Sequence, residues 1–243
     1  MVQGRKFAVF DIDGTLIRWQ LYHAIADTLA RQGHIKPEVY QTMKDARMTW
    51  KRRLGGSFRD YERQVIEVYE AILKELSFSQ FEEAADVVFE EYKDQVYTYT
   101  RDLIAKLKKD GYVLFAVSGS QTEIVAKIAD YYGFDDYVGT TYERTGQGFS
   151  GAKTIGSLDK DKTLKELVKK HGVSFKGSIG VGDSRSDISM LELVERAIAL
   201  NPEADLFEHA KNAGWEVVLE RKNMVYELKK RGSGYELVKA SAR

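Results

Sequence analysis

The sequence predicts an α/β fold: a Rossmann-like parallel sheet with helices on both faces, plus a helical-bundle cap domain inserted after the first strand. Two observations lead to this prediction. Short apolar runs alternate along the chain with segments of helical periodicity, which is the pattern of strands joined by crossover helices. Residues 20–98, by contrast, contain only three of the twenty glycines and one of the two prolines, which favours continuous helix.

The strands of the sheet are predicted from apolar runs that end at polar or turn residues. These runs are Lys6–Asp11, Tyr112–Ser118, Ser178–Gly182, Ala197–Leu200 and Trp215–Leu219. Between them, helices are expected to begin at capping residues and to end at glycines. They cover Thr100 to about Gly111, Thr122–Tyr132, Asp161–His171 and Asp187–Glu195.

Four further helices are expected in the inserted segment, at Leu21–Gln32, Pro37–Arg53, Arg59–Leu76 and Gln80–Tyr97. The predicted domains are therefore a core of residues 1–19 and 98–243 and a helical cap of residues 20–97. A hairpin is expected within Asp136–Ser157, and the polar stretch Lys222–Arg243 is expected to form a short helix and a loose tail.

Composition excludes several classes of protein. The chain has no cysteine, so structural disulfides, thiolate metal sites and a cysteine nucleophile are excluded. Thirty-seven basic residues balance thirty-seven acidic ones, which gives no general electrostatic drive towards nucleic acid or a membrane surface. No run of about 18 apolar residues occurs, so we expect a cytoplasmic protein without a membrane span. The oligomeric state stays open.

Carboxylates follow the strands at the edge where parallel sheets bind ligands. Asp11 and Asp13 follow the first strand, and Asp183 and Asp187 follow the third. Four carboxylates meeting in one crevice would repel one another without a cation. Because all the ligands offered are oxygens, Mg²⁺ is the ion that fits best.

Groups that bind an anion are expected at the same edge. The Ser118 hydroxyl and the Gly119 backbone N–H are placed near a helix start, where oriented amides bind phosphate. Lys162, at the start of another predicted helix, would add a positive charge. The sequence therefore favours a phosphorylated small molecule as partner.

In their order along the chain, these residues resemble the motifs of the haloacid dehalogenase superfamily of phosphohydrolases. The segments are Asp-Ile-Asp-Gly-Thr-Leu from Asp11, Val-Ser-Gly from Val117, Lys162, and Gly-Asp-Ser-Arg-Ser-Asp from Gly182. The resemblance implies that Asp11 is the nucleophile and that Asp13 is the general acid and base. It implies Mg²⁺ ligation by Asp11, the Asp13 backbone carbonyl and Asp183, and phosphate binding by Thr15, Ser118, Gly119 and Lys162. Asp187 would ligate the metal through water or orient Lys162.

The inserted helices resemble the cap of the phosphoserine phosphatase branch of that superfamily. Arg63 falls where that branch keeps an arginine for the substrate carboxylate, although an exposed ion pair on a helix is an equally good reading. Two positions depart from the branch. Gly14 stands in place of a serine, and Gln20 in place of the glutamate that meets the substrate's amino group.

The function expected from the sequence is a magnesium-dependent phosphatase that acts on a small phosphate monoester through an aspartyl phosphate, with phosphoserine as one candidate. A phosphotransferase that passes the same phosphoryl group to an alcohol is the alternative. A non-catalytic regulatory or binding module is a third reading. It predicts a missing motif residue, and Asp11, Asp13, Lys162 and Asp183 are all present.

Overall fold

A computed structural model describes residues 5–52, 54, 58–156 and 158–242, without the side chains of 58–60. Within these residues, nine strands form one sheet in the order β4-β3-β2-β1-β5-β6-β7-β8-β9. The strands are β1 (Lys6–Phe10), β2 (Val113–Gln121), β3 (Asp136–Thr145), β4 (Gly148–Ile155), β5 (Ser174–Gly182), β6 (Arg196–Leu200), β7 (Glu216–Arg221), β8 (Met224–Arg231) and β9 (Gly234–Ala242).

Helices connect the strands and make up most of the inserted segment. They are α1 (Leu21–Arg31), α2 (Pro37–Lys51), α3 (Phe58–Leu73), α4 (Phe78–Tyr92), α5 (Thr98–Lys109), α6 (Thr122–Tyr132), α7 (Lys160–His171), α8 (Ile188–Leu191) and α9 (Ala204–Ala213). Helices α6 and α7 end at Gly133 and Gly172, which take left-handed φ values of 70° and 60°, as expected of glycine C-caps. None of the helices in the described ranges has both the length and the apolar character that a bilayer span requires.

The centre of the sheet is parallel, as predicted. Strand β1 pairs in parallel with β2 on one side and β5 on the other, and β5–β6 and β6–β7 continue the parallel pairing. The four residues from Phe7 to Phe10 of β1 are all fully buried, and since successive side chains of a strand point to opposite faces, both faces of the sheet are covered here. This arrangement brings the carboxyl ends of β2, β1 and β5 side by side.

The carboxyl-terminal stretch differs from the expectation of a short helix and a loose tail. Strands β7, β8 and β9 form an antiparallel meander, with Gly232 at a φ of 59° in the turn between β8 and β9. Tyr235 of β9 donates a hydrogen bond to the Trp215 carbonyl at 3.0 Å and packs against Phe207 of α9. The stretch therefore extends the sheet.

The chain divides into two compact units. The core unit comprises the described residues of Met1–Trp19, Tyr92–Thr140 and Ile155–Arg243, and the helical unit comprises those of Gln20–Glu91 and Thr141–Thr154. In this division the chain re-enters the core unit at Tyr92, whereas the sequence predicted that boundary at residue 98. It also assigns the outer part of the β3–β4 hairpin to the helical unit.

Aromatic packing explains why the hairpin belongs with the helices. Phe149 is buried, and the centroid of its ring lies 5.5 Å from that of Phe81 and 5.9 Å from that of Phe78. Tyr142 donates a hydrogen bond to Glu70 of α3 at 3.1 Å, and Lys153 forms an ion pair with the same carboxylate. The hairpin thus contributes both apolar and charged contacts to the helical unit.

A polar network lies inside the helical unit. Arg47 of α2 makes two hydrogen bonds to Asp27 of α1, at 2.8 and 2.9 Å, and one to the Tyr61 hydroxyl at 3.3 Å. That hydroxyl lies 2.5 Å from Nδ1 of His23. Because arginine can only donate, the Tyr61 hydroxyl accepts the bond from Arg47, and it forms a second hydrogen bond with His23.

Candidate active site

The candidate site lies at the carboxyl ends of three neighbouring strands. Asp11 follows β1 and Asp183 follows β5, and the Asp11 backbone N–H donates to the Val181 carbonyl at 3.0 Å. Ser118 lies within β2 on the other side of β1. The parallel order β2-β1-β5 therefore gathers residues that are far apart in sequence, as expected for a parallel sheet.

A tight turn after β1 holds Asp13 and Thr15. The Ile12 carbonyl accepts hydrogen bonds from the N–H groups of Leu16 and Ile17, each at 2.9 Å. Gly14 has a φ of 80°, and a Cβ at this position would overlap the Asp183 carboxylate. Both the backbone conformation and the close approach of Asp183 therefore favour glycine at this position.

Asp13 is oriented by β2. The Ser118 hydroxyl donates a hydrogen bond of 2.6 Å to Asp13 Oδ2 and accepts one of 3.0 Å from the Ser120 N–H. Asp13 is 8% exposed and Ser118 is fully buried. The hydroxyl expected to bind phosphate thus also positions the second aspartate.

Asp187 shapes the loop after β5. It is fully buried, and its Oδ2 accepts the backbone N–H groups of Asp183 and Ser184, each at 3.0 Å. Its Oδ1 lies 2.6 Å from Nζ of Lys160. Asp187 therefore contacts a lysine, as one of its two expected roles requires, and that lysine is Lys160.

The lysine that lies at the site is Lys160, and not Lys162 as the sequence predicted. Its ammonium lies 2.7 Å from Asp11 Oδ1 and 3.2 Å from the Val117 carbonyl, and its side chain is 2% exposed. Burial works to lower the pKa of Lys160, but Asp11 and Asp187 outweigh it and raise the pKa above its usual value. Lys162 is exposed, because two residues along a helix turn the side chain to the opposite face.

The other expected phosphate ligands lie at the same edge. Thr15 is buried and its hydroxyl donates to Asp183 Oδ1 at 3.2 Å. Gly119 is exposed, and its carbonyl accepts the Thr140 hydroxyl at 2.7 Å. Helix α6 begins at Thr122, as predicted, but β2 continues to Gln121, so Ser118 and Gly119 lie in the strand and not at the start of the helix.

The acidic residues fit a divalent cation. One carboxylate oxygen from each of Asp11, Asp183 and Asp187 lies within 4.8 Å of the others. Burial raises the pKa of Asp11 to about 7 against the opposing effect of Lys160, and burial and the Asp11 charge raise that of Asp183 well above its usual range. Such crowding of buried carboxylates is relieved by a hard cation with oxygen ligands.

Gln20 and Arg63 belong to the helical unit. Gln20 is the half-buried N-cap residue of α1 and makes no side-chain capping bond. Arg63 is an exposed residue of α3. Their expected roles towards a substrate stay predictions.

A family model described as haloacid dehalogenase-like hydrolase matches residues 8–192. Among curated relatives, phosphoserine phosphatase SerB1 of Mycobacterium tuberculosis is 29% identical over 128 residues, which are 51% of this chain and 41% of the relative. A histidinol-phosphatase of Neisseria meningitidis is 24% identical over 229 residues, which are 88% of this chain and 98% of the relative. The first matched relatives are longer proteins, and the chain spans only 41% to 50% of their length.

Solved structures share the fold. A protein of unknown function from Bordetella pertussis aligns with a TM-score of 0.72 at 22% identity, covering 88% of this chain and 98% of its own. A phosphoserine phosphatase solved as a phospho-aspartyl intermediate analogue aligns with a TM-score of 0.63 at 24% identity, covering 90% and 95%. Since the family model matches more than half of the chain and includes every strand-end residue of the candidate site, the chain belongs to the haloacid dehalogenase-like hydrolases.

Proposed function

We propose that the chain is a magnesium-dependent phosphatase that hydrolyses a small phosphate monoester through a phosphoryl group carried on Asp11. The observation that carries the proposal is the buried contact between Lys160 and Asp11, beside Asp183 and Asp187. A site with a fixed carboxylate, a fixed ammonium and carboxylate oxygens close enough to share a cation provides the nucleophile and the charge neutralisation that phosphoryl transfer requires.

Asp11 is the proposed nucleophile. The ammonium of Lys160 holds Oδ1, so Oδ2 is the oxygen that attacks phosphorus. A bond forms between Oδ2 and phosphorus as the bond from phosphorus to the ester oxygen breaks. The positive charge of Lys160 stabilises the charge that develops on the phosphoryl oxygens.

Asp13 is the proposed general acid and base. It gives a proton to the departing alkoxide, and then takes a proton from the water that attacks the aspartyl phosphate. The hydrogen bond from Ser118 fixes the orientation of its carboxylate for both transfers. After water attack, the bond between phosphorus and Asp11 breaks and phosphate leaves.

Asp11, Asp183 and the Asp13 backbone carbonyl are the groups that would hold Mg²⁺. When bound, the ion supplies positive charge that offsets the carboxylates and the phosphoryl oxygens. Asp187 serves this site through Lys160 and the loop, since both of its oxygens accept hydrogen bonds from these groups. Thr15, Ser118 and the Gly119 N–H complete the proposed phosphate contacts.

The helical unit is the proposed cap, which selects the leaving group. Relatives named phosphoserine phosphatase and histidinol-phosphatase make a phosphorylated amino acid or amino alcohol the first class of substrate to examine. Neutral Gln20 provides no charge for an ammonium group, whereas Arg63 provides one for a carboxylate. We place this activity in the cytoplasm.

Replacing Asp11 by asparagine tests the mechanism. Asp11→Asn keeps the side-chain size but removes the nucleophile, so phosphate release should fall by about 1,000-fold or more. Phosphate release is measured over a panel of phosphorylated amino acids, sugars and nucleotides, with Mg²⁺ and with a chelator. Asp130→Asn, at an exposed position of α6, is the matched control and should keep full activity. Undiminished release by Asp11→Asn, or release unaffected by the chelator, would contradict the proposal.

A further inference from the structure

Strand β2 bulges at the point where it carries Ser118. Its parallel pairing with β3 shifts between Val117 and Gln121, so that residues 118–120 of β2 lie opposite Gly139 alone. A Cβ on Gly139 would lie 2.8 Å from the Ser120 carbonyl oxygen, so the lack of a side chain lets β3 approach the bulge. Bulges re-aim side chains and are common beside active sites. Because regular strand pairing is interrupted here, other contacts have to hold Ser118 in place.

Thr140 of β3 supplies such a contact. Its hydroxyl donates a hydrogen bond of 2.7 Å to the Gly119 carbonyl, and its side chain is buried. The N–H of the same peptide group belongs to Ser120 and donates to the Ser118 hydroxyl oxygen at 3.0 Å. The peptide group between Gly119 and Ser120 is therefore hydrogen-bonded at both ends, which fixes its orientation.

The hydrogen bonds from Thr140 to Asp13 all point in one direction. A carbonyl can only accept and an N–H can only donate, so the Thr140 proton points to the Gly119 carbonyl and the Ser118 oxygen accepts from the backbone. The Ser118 proton is then left for Asp13 Oδ2, at 2.6 Å. Hydrogen bonds that are linked in this way polarise one another, most strongly where water is excluded. Both hydroxyl groups of this chain belong to buried residues.

We propose that Thr140 is a positioning residue for the general acid and base Asp13, and that it acts through the Gly119–Ser120 peptide group and the Ser118 hydroxyl. The inference rests on the proposed phosphatase function. Proton transfer to the departing ester oxygen depends on the alignment of the Asp13 carboxyl group, which the Ser118 hydroxyl orients. Without the Thr140 hydroxyl, the bulge that carries Ser118 loses its contact with β3.

The leaving group of the substrate tests this role. An alkoxide needs a proton as it departs, whereas p-nitrophenolate is stable enough to leave without one. The two probes are p-nitrophenyl phosphate and the alkyl phosphate that the unmodified protein hydrolyses fastest among phosphorylated amino acids and sugars. The value kcat/KM is compared between them, since it covers the steps up to departure of the leaving group.

Thr140→Val keeps the shape of the side chain and removes only the hydroxyl. Its kcat/KM should fall by about 10-fold for the alkyl phosphate and by less than about twofold for p-nitrophenyl phosphate. Asp13→Asn, which removes the acid itself, should show the same selective loss to a greater degree. Thr140→Ser keeps the hydroxyl and should restore the ratio of the two kcat/KM values to within about twofold of that of the unmodified protein.

Two further variants control for effects on the fold and on phosphate binding. Thr145→Val, at an exposed position later in β3, should leave both kcat/KM values unchanged. Adding Thr140→Val to Ser118→Ala should change the ratio by less than about twofold, because the link to Asp13 is already broken. Equal losses for both probes in Thr140→Val would indicate a role in folding or phosphate binding and would overturn the proposal, as would failure of Thr140→Ser to restore the ratio.

The same measurements separate this inference from the proposed function. If the unmodified protein released phosphate from p-nitrophenyl phosphate but from no alkyl phosphate, or from neither, the proposed phosphatase would be contradicted. Magnesium-dependent release from both probes, with the ratio unaltered in Thr140→Val, would leave the phosphatase standing and overturn the role of Thr140 alone.

Discussion

Lys160 is a buried cation whose charge is matched by two carboxylates. Its ammonium contacts Asp11 at 2.7 Å and Asp187 at 2.6 Å, and all three side chains are at most 7% exposed. Removing one member of such a group leaves buried charges without a partner, which is costly. We therefore expect Lys160 to contribute to the stability of the fold as well as to the proposed reaction.

Replacing this lysine gives a prediction at the scale of one residue. Lys160→Met should lower kcat by about 100-fold or more, because the phosphoryl oxygens lose a fixed positive charge. Lys162→Met, two positions away and exposed, should keep nearly full activity. Rates are measured with Mg²⁺ at saturating substrate, and circular dichroism checks that both variants fold. Comparable activity of the two variants would refute the assignment of Lys160.

The pair of lysines also shows what the sequence reveals about a single site residue. The motif aspartates are predictable because they follow apolar strands, and the structure brings Asp11 and Asp183 together. The lysine depends on where α7 begins, which periodicity locates only to within a few residues. A signal was nevertheless present: Lys160 shares a helix face with the buried Leu164 and Leu167, whereas Lys162 lies on the opposite face.

At the scale of elements, Glu220 ties β7 to the start of α5. Its carboxylate accepts hydrogen bonds from the Thr98 N–H at 3.0 Å, the Thr98 hydroxyl at 3.1 Å and the Tyr99 N–H at 2.9 Å. Glu220 is 6% exposed. A residue 122 positions away thus supplies the N-terminal cap that Tyr97 does not provide for this helix.

Removing this cap should destabilise the protein. In Glu220→Ala two backbone donors lose their acceptor in a buried place, so the free energy of unfolding should fall by about 2–4 kcal/mol. Urea denaturation followed by circular dichroism measures the change. Glu236→Ala removes an exposed carboxylate of β9 that pairs with Arg231, and it should cost less than about 1 kcal/mol. Similar values for the two variants would show that the cap contributes little.

Elements were predictable where one pattern of burial dominated. The central strands are apolar on both faces, and the long helices are amphipathic, so both could be located from the sequence. Strands β8 and β9 could not, since β9 is an edge strand with most of its side chains exposed and alternates only weakly. The hairpin was recognised, but its place in the helical unit depends on the burial of Phe149, which local sequence does not reveal.

At the scale of the whole molecule, one histidine links stability to pH. His23 is 1% exposed, and burial, with the charges of Arg47 and Lys51, lowers its pKa to about 3. In the unfolded chain the pKa returns to about 6.5. The unfolded state therefore binds a proton between these values that the folded state does not, and acid favours unfolding.

The stability that neutral His23 contributes should be fully present above about pH 6.5 and should be lost as the pH falls towards 3. Between pH 6 and 4, His23 should contribute a decrease of about 1.4 kcal/mol per pH unit in the free energy of unfolding. Urea denaturation at several pH values should show a shallower pH dependence in His23→Gln than in the unmodified protein. An unaltered slope in His23→Gln would show that His23 does not bind this proton in the unfolded chain.

The position of β1 has a consequence for the order of events during synthesis. Its neighbours are β2, which ends at Gln121, and β5, which ends at Gly182. A ribosome adding 5–20 residues per second needs roughly 5 to 20 seconds to make the intervening chain before β1 meets its first partner. The helical unit is likewise incomplete until residue 154 has been synthesised, because it includes Thr141–Thr154. Asp11 and Asp13 therefore spend the early life of each nascent chain without the strands that later bury them.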